Sequence, residues 1–215
     1  MKTLALEFSS GQRSVAVAEN GIVLSVASEM GARSTRAFGL IEQVLAGAKF
    51  EREEIECLVI GLGPGSYTGI RAAIAVAQGW QLTRPVRVAG LSSIEAIAAE
   101  AARQKIFGRV YVLVDAQRSE LYLGDYETGA QSWQEKSPVR IVTRAVVESL
   151  RGAGAQIVGP ETWPFLPEAR QVFPRADALI AVAAGSENFV PAEKLEPIYL
   201  REVSFIKSAP VSGRR

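Results

Sequence analysis

The stretch TLALEFSSGQRSVAVAENGIVLSVAS (residues 3–28) decides the fold, because it holds three consecutive apolar runs of strand length. The runs cover residues 3–8, 14–19 and 22–28. Asn20 and Gly21 separate the second run from the third, and an Asn-Gly pair is a strong hairpin signal because both residues tolerate positive φ. The sequence therefore predicts that the chain opens with three antiparallel strands.

Helical and buried-strand patterns alternate after this opening. The predicted elements are a helix over 33–48, a strand over 57–62, a helix over 67–82, a strand over 86–90 and a helix that ends near Arg103. Apolar residues recur at helical spacing in the first of these helices, whereas CLVIGL (57–62) is continuously apolar, as in a strand buried on both faces. Ser92 and Glu95 have the spacing of a capping box, which predicts the start of the third helix.

The same order of elements then begins again. It predicts strands over 109–116, 120–126 and 131–142 with a turn at Thr128-Gly129, a helix over 143–150, a strand over 155–159 and a helix over 176–184. Three antiparallel strands followed by crossover helices and parallel strands are typical of the ribonuclease H-like unit. Two such units in tandem, residues 1–105 and 106–215, indicate an α/β fold of the actin-like ATPase (ASKHA) architecture. Two unrelated α/β lobes are the alternative.

Composition excludes several classes of chemistry. The 215 residues contain no histidine and one cysteine, Cys57, so histidine-ligated metal sites and Ser-His-Asp hydrolysis are excluded and a protein-built zinc site has too few ligands. Cys57 lies in an apolar run, which predicts a buried structural thiol. The sequence therefore predicts neither a metal site nor a cofactor.

The charge balance bears on the partners. The 24 basic and 23 acidic residues leave a net charge of +1, without the basic excess that is usual for a protein that binds nucleic acid by itself. The N-terminal residues lack the apolar segment of a signal peptide, and no apolar run reaches the roughly 18 residues of a membrane span. We expect a cytoplasmic protein, and if nucleic acid is involved, we expect something other than this chain to supply most of the phosphate contacts.

The segment GLGPGSYTGIR (61–71) is the strongest local motif. It follows a predicted buried strand and opens a predicted helix, a position where free backbone N–H groups attract anions. It lacks the lysine of a Walker A loop, and its third glycine is displaced from the GxGxxG spacing. Ser66 is a suitable N-cap for the helix. A tight structural turn and a phosphate site both remain open at this stage.

The helix that follows this motif is rich in small residues. Glycine inside a helix costs about 1 kcal/mol relative to alanine, so such a helix needs a packing partner. The small residues are Gly69, Ala72, Ala73, Ala75, Ala77 and Gly79. The partner is either the protein's own sheet and helix 33–48, which the physics favours, or another subunit.

One acidic residue lies at the end of the first predicted strand in each half. In actin-like ATPases this position holds the metal and its water, and Glu7 and Asp115 match it here. Glu7 is one methylene longer than aspartate, and the turn beginning at Ser9 is a weak phosphate loop. Two strand-end caps are therefore favoured over the metal site of a working ATPase or kinase.

Several of these segments together resemble the TsaB family. GLGPGSYTGIRAAIAVAQGW (61–80) resembles that family's GPGS[FY]TG[IV]R signature almost position for position. LALEFSS (4–10), LSSIEAIA (91–98), VDAQRSELYLGDY (114–126) and EPIYLRE (196–202) resemble its other segments more loosely. Glu7 departs from the family's aspartate, and Ser34-Thr35 stands where the family often has His-Ser.

The resemblance implies an accessory role. TsaB-like proteins have the duplicated actin-like fold with a degenerate nucleotide site and no catalytic residues of their own. They pair with TsaD, which transfers threonylcarbamoyl to N6 of adenosine 37 in tRNAs that read ANN codons, and the ATPase TsaE joins the complex. The tRNA is then met only indirectly, and the same surface forms a homodimer when TsaD is absent.

The resemblance also implies which residues carry this role. The contact with TsaD uses the first two helices, here 33–48 and 67–82, which raises the intersubunit interpretation of the small-residue helix above the internal one. The implied interface residues are Arg36, Leu40, Val44, Tyr67, Ile70, Arg71, Ala73, Ile74 and Ala77. The implied signature-loop residues are Gly63, Pro64, Gly65, Ser66, Thr68 and Gly69. The implied degenerate site consists of Glu7, Ser9 and Asp115. A homodimeric structural protein without a TsaD contact is a further hypothesis.

Overall fold

A computed structural model describes residues 1–31, 37–184 and 188–200 of the chain. The first sheet contains β1 (Lys2–Glu7), β2 (Gln12–Glu19), β3 (Ile22–Met30), β4 (Cys57–Gly61) and β5 (Arg87–Leu91). Its strand order is β3-β2-β1-β4-β5, in which the first three strands are antiparallel and β4 and β5 run parallel to β1. Asn20 and Gly21 both have positive φ at the β2–β3 turn, which confirms the predicted hairpin.

The second sheet repeats this topology. It contains β6 (Gly108–Asp115), β7 (Glu120–Gly129), β8 (Ser132–Thr143), β9 (Gln156–Gly159) and β10 (Arg170–Gln171). Its order, β10-β9-β6-β7-β8, again has three antiparallel strands with two parallel strands beside the first. The predicted tandem ribonuclease H-like, actin-like fold is therefore confirmed.

Five α-helices join and cover the sheets in the described residues. They are α1 (Ala37–Ala48), α2 (Tyr67–Thr83), α3 (Ser93–Arg103), α4 (Arg144–Gly152) and α5 (Ala176–Ala183). Helices α1 and α2 pack their apolar faces on the outer side of the first sheet, and α4 lies outside the second sheet. None of the helices is long and apolar enough to cross a membrane within the described part of the chain.

The last helix of each half packs on the other half. Helix α3 places Ile94 and Ile97 against Val110 and other residues of the second sheet. Helix α5 places Leu179 among the alanines that β1 and β2 point inward. The two helices also touch each other, and Arg103 of α3 donates to the Asp177 carboxylate of α5 at 2.7 Å. This exchange of helices joins the two halves through α3 and α5.

Two local predictions are wrong for tertiary reasons. The predicted turn at Thr128-Gly129 lies two residues later, because Thr128 stays in β7, where its hydroxyl donates to Ile106 O at 2.6 Å. The predicted capping box does not form: Ser92 is the N-cap of α3 without a side-chain cap bond, and the Glu95 carboxylate instead accepts the Trp133 indole N–H at 3.2 Å. Residues 33–36 of the first predicted helix lie outside the described residues.

Candidate functional site

The signature loop connects the end of β4 to α2 and lies against the end of β1. Ser66 N donates to Ser9 O at 2.6 Å, and the Ser66 hydroxyl caps α2 by accepting the Gly69 N–H at 3.4 Å. Gly63 N donates to the Ser93 hydroxyl at 3.0 Å. Three backbone N–H groups of the loop are thus already used inside the protein. This geometry favours the structural-turn interpretation over the phosphate site.

The loop's glycines allow this close approach. A Cβ on Gly69 would overlap Phe8 O, and a Cβ on Gly65 would overlap Ser9 O. Gly63 and Gly65 also have positive φ, of 85° and 150°, which L side chains rarely adopt. Pro64 is buried between them after a cis peptide bond, and Thr68 is exposed on the first turn of α2. The motif therefore presses the start of α2 onto the end of β1.

Glu7 is the buried centre of this contact. Its side chain is fully buried, and its carboxylate accepts Ser9 N at 2.7 Å and the Ser93 hydroxyl at 2.8 Å. Burial raises the pKa of Glu7 above the ordinary glutamate value, although these hydrogen bonds oppose the shift. Glu7 therefore joins β1 to α3, and Ser93 in turn accepts the Gly63 N–H of the signature loop, which fits the strand-end-cap interpretation.

Asp115 has the opposite environment. It is exposed, and its carboxylate accepts the Gln117 N–H at 2.8 Å. It faces a cleft of about 390 Å³ between the two halves, as do Ser9 and Ser66. The other lining residues are Ser10, Gly11, Arg13, Gly31, Gly65, Gln117 and Glu161. Glu7 is not among them, so the two acids that the sequence paired do not meet in one site.

Glu161 is a cleft residue that the sequence reasoning missed. It lies two residues after β9, and Asp115 is the last residue of β6, so the ends of two neighbouring parallel strands bring these carboxyls to one edge. Burial, and then the charge of Asp115, raise the pKa of Glu161 to about 7. Its Oε2 atom is buried and accepts no hydrogen bond within the described structure. An acidic residue two positions after a buried strand was the signal available in the sequence.

The described residues contain no metal-binding cluster of three or more His, Cys, Asp or Glu side chains. Cys57, which the sequence predicts to be structural, is buried in β4. Burial raises the pKa of the Cys57 thiol to about 11. A thiol with so high a pKa is protonated at neutral pH and is a poor nucleophile.

The two N-terminal helices present two different faces. Most of the implied interface residues point inward, into the core between the helices and the first sheet: Leu40, Val44, Ile70, Ala73, Ile74 and Ala77. Tyr67 and Arg71 are exposed at the start of α2, and Arg36 lies outside the described residues. The six inward residues fill the chain's own core, so they present no surface to a partner.

The outward side of α1 and α2 also carries apolar and small residues, beside polar ones such as Glu42 and Gln78. We call Phe38, Ala75, Val76, Gly79, Trp80 and Leu82 the outer face. Phe38 is 63% exposed and Leu82 88% exposed, and a groove of about 420 Å³ runs between the helices along Phe38, Val76 and Trp80. Ala75 and Gly79 are exposed small residues, which let another helix approach closely. Because α2 carries apolar residues on both sides, the sequence alone did not show which side is buried and which is exposed.

Comparisons with known proteins place this geometry in a family. A family profile described as "TsaD: tRNA N6-adenosine threonylcarbamoyltransferase" matches residues 3–157. The Escherichia coli tRNA threonylcarbamoyladenosine biosynthesis protein TsaB is 26% identical over 98% of this chain and 99% of its own length. TsaB of Haemophilus influenzae is 30% identical over 55% of this chain and 51% of its own length.

A solved structure gives the same result for the fold. The Pseudomonas aeruginosa protein described as similar to peptidase YeaZ superposes with a TM-score of 0.79 at 25% identity, over 93% of this chain and 99% of its own. The matched profile covers most of the chain, and it includes β1, the signature loop and both N-terminal helices. The chain belongs to the TsaD family, as a TsaB (YeaZ-like) member.

Proposed function

We propose that the chain is a non-catalytic subunit of tRNA threonylcarbamoyladenosine biosynthesis that pairs with a TsaD homologue through its outer face. The full-length similarity to Escherichia coli TsaB supports the pathway. One structural observation supports the accessory role: the first-half carboxylate, Glu7, is buried and hydrogen-bonded inside the protein, away from the cleft.

The outer face supports the mode of pairing. It combines the exposed Phe38 and Leu82 with the small residues Ala75 and Gly79, on two helices whose inner faces pack in the core with the first sheet. Helices that pack together lie about 8–10 Å apart, and small residues permit the shorter distances. We therefore propose that residues 1–105 form the half that binds the TsaD homologue, and that this pairing replaces a homodimer formed through the same face.

The remaining partners follow from the same proposal. The ATPase TsaE joins the assembled complex, and tRNA is held mainly by the other subunits because the net charge of +1 supplies no basic excess. The chain itself needs no resident metal or cofactor for this role. We place the complex in the cytoplasm.

A stand-alone actin-like ATPase or kinase is the second candidate. It is favoured by one observation, the open cleft of about 390 Å³ that carries Asp115 and Glu161. This candidate requires the isolated chain to bind one ATP per molecule and to turn it over. Calorimetric titration of the isolated chain with ATP and Mg²⁺ measures binding, and release of inorganic phosphate measures turnover. The accessory proposal predicts no turnover.

Co-purification tests the proposed pairing. The chain is co-expressed with the TsaD homologue of the same organism, either as wild type or as Ala75→Arg, which places a long cation on the outer face. Ala181→Arg is the matched control, because Ala181 is also an exposed helical alanine but lies on α5. We expect wild type and Ala181→Arg to form the complex, and Ala75→Arg to weaken it by about 100-fold or more.

Circular dichroism confirms that each variant is folded. If the folded wild-type chain forms no complex even with TsaE and nucleotide present, the proposed pairing is wrong. If both arginine variants bind as wild type does, the pairing uses a surface other than the outer face.

A further inference from the structure

The C-terminal part of the described chain is fastened along one edge of the first half. Val190 N donates to Val88 O of β5 at 2.9 Å, and Ala192 N donates to the Gln81 side chain of α2 at 2.7 Å. Farther along, Ile198 N donates to Leu62 O at 2.8 Å. Ala192 and Leu195 are buried in the core of the first half. We call residues 190–200 the strap.

The strap ends beside the start of α2. Tyr199 packs on Tyr67 with ring centroids 5.7 Å apart and planes tilted by 34°. The Arg71 guanidinium lies over the Tyr67 ring, 5.5 Å from its centroid. Burial raises the pKa of Tyr199, and neighbouring Tyr67 and Tyr122 raise it further. Because Tyr122 belongs to β7, the strap ends where the two halves of the molecule meet.

This cluster is fixed in position but only half covered. Tyr67 is 53% exposed, Tyr199 45% and Leu200 42%, although the backbone beneath Tyr199 is held by the Ile198–Leu62 hydrogen bond. Arg71 is exposed and forms no ion pair with another described residue. Tyrosine and arginine are, with tryptophan, enriched at the energetic centres of protein interfaces. Rigid aromatic side chains lose little conformational entropy on binding.

The cluster continues the outer face along the same helix. Arg71 and Ala75 are four residues apart, so they are neighbours on one side of α2, and Gly79 follows after another four. A helix lying along Ala75 and Gly79 would therefore reach Arg71 and Tyr67 at the first turn of α2. The Arg71 guanidinium favours a carboxylate on that partner, and the tyrosine rings favour an apolar side chain beside it.

We propose that Tyr67, Arg71, Tyr199 and Leu200 form a second contact site for the TsaD homologue, so that the strap is part of the partner interface. This inference rests on the proposed pairing through the outer face. The site takes an apolar side chain of the partner between the two tyrosines and Leu200, and a carboxylate of the partner on Arg71. The strap then couples the partner to both halves of the chain.

Calorimetric titration with the purified TsaD homologue tests this site. Tyr199→Ala is expected to raise the dissociation constant about tenfold, and Tyr199→Phe, which keeps the ring, to change it less than about threefold. Phe107→Ala is the matched control, because Phe107 is an exposed aromatic residue that lies far along the chain from the outer face, before β6. It is expected to leave the dissociation constant within about twofold of wild type.

The outcomes separate this inference from the proposed function. No binding by the wild-type chain contradicts the proposed pairing itself. Wild-type binding that Ala75→Arg abolishes and Tyr199→Ala leaves unchanged overturns the second site alone. If Tyr199→Ala leaves affinity for the TsaD homologue unchanged but weakens binding of tRNA to the complex, the cluster is a nucleic-acid contact and the inference is wrong. Thermal unfolding shows whether Tyr199→Ala leaves the chain folded.

Discussion

Glu7 and Asp115 end the first strands of two sheets with the same strand order, yet their surroundings are opposite. Glu7 is fully buried and accepts hydrogen bonds from Ser9 and Ser93. Asp115 is exposed and faces the cleft beside Glu161. In the first half the signature loop covers the end of β1, whereas in the second half the end of β6 is open. We call this contact of the signature loop with the end of β1 the seal.

This difference shows how a duplicated fold can divide its roles between halves. The seal in the first half removes a carboxylate from the cleft, and it also fixes the start of α2 against β1. A fixed α2 presents a rigid outer face, and rigid surfaces lose less entropy when a partner binds. The second half keeps an open strand end but has no comparable pair of helices over its sheet in the described residues.

The largest expected effect comes from breaking the seal. Gly69→Ala places a Cβ onto the Phe8 carbonyl oxygen, so we expect the free energy of unfolding to fall by about 3 kcal/mol or more. Urea unfolding followed by circular dichroism measures the change. Gly152→Ala on α4 is the control, because nothing lies within 4 Å of a Cβ built there. Equal stability of the two variants would contradict the tight seal.

The second prediction compares the two strand-end carboxylates directly. Glu7→Ala leaves the Ser9 N–H and the Ser93 hydroxyl without their acceptor, so we expect a loss of about 2 kcal/mol in unfolding free energy. Asp115→Ala should change it by less than about 0.5 kcal/mol, because the side chain is exposed. Urea unfolding at neutral pH measures both variants, and a larger loss for Asp115→Ala would reverse the comparison.

The third prediction uses the titration of Glu161. Its pKa in the folded chain is about 7, raised by burial from 4.5, so the folded state holds the proton more tightly than the unfolded state. Its contribution to stability is therefore present at low pH and is lost as pH rises toward 7. Glu161→Gln removes this loss, so we expect the variant to gain about 1–2 kcal/mol over wild type at pH 8 and almost nothing at pH 4.

Thermal unfolding of wild type and Glu161→Gln across this pH range measures the difference. A constant offset between the two proteins at every pH would mean that Glu161 has an ordinary pKa. Asp115→Asn is a useful companion variant, because removing the neighbouring charge should lower the pKa of Glu161. In that background the stability difference between Glu161 and Glu161→Gln at pH 8 should be smaller.

The smallest effect concerns the outer face of the sealed half. A Cβ at Gly79 meets nothing within 4 Å, so Gly79→Ala should stabilise the isolated chain by about 0.5–1 kcal/mol through helix propensity. The same methyl group would hold a partner helix away, so affinity for the TsaD homologue should fall about threefold. Gly152→Ala on the second half should leave affinity unchanged. Tighter binding by Gly79→Ala would place the partner helix elsewhere.

The sequence predicted the fold better than it predicted the surface. The hairpin at Asn20-Gly21 and the buried strands were readable because turn chemistry and apolar runs are local signals. The short β10 was not predicted, because its two residues form a strand only by pairing with β9. The capping box at Ser92 failed since a distant residue, Trp133, binds Glu95.

The candidate site was harder for a related reason. Helix α2 is apolar and small on both sides, so periodicity could not separate the buried Ala73 from the exposed Ala75. Glu161 belongs to the cleft only because β9 and β6 are adjacent parallel strands, which is a tertiary fact. The burial of Glu7 likewise depends on Ser93, which lies 86 residues away in the chain.

A reconstituted transfer assay tests the accessory role most directly. The TsaD homologue, TsaE and the wild-type chain are combined with tRNA and the threonylcarbamoyl donor, and the wild type is compared with the double variant Asp115→Asn, Glu161→Gln. We expect that transfer needs the chain and that the double variant supports a rate within about twofold of wild type. A loss of about tenfold or more in an intact complex would assign chemistry to this cleft and contradict the accessory role.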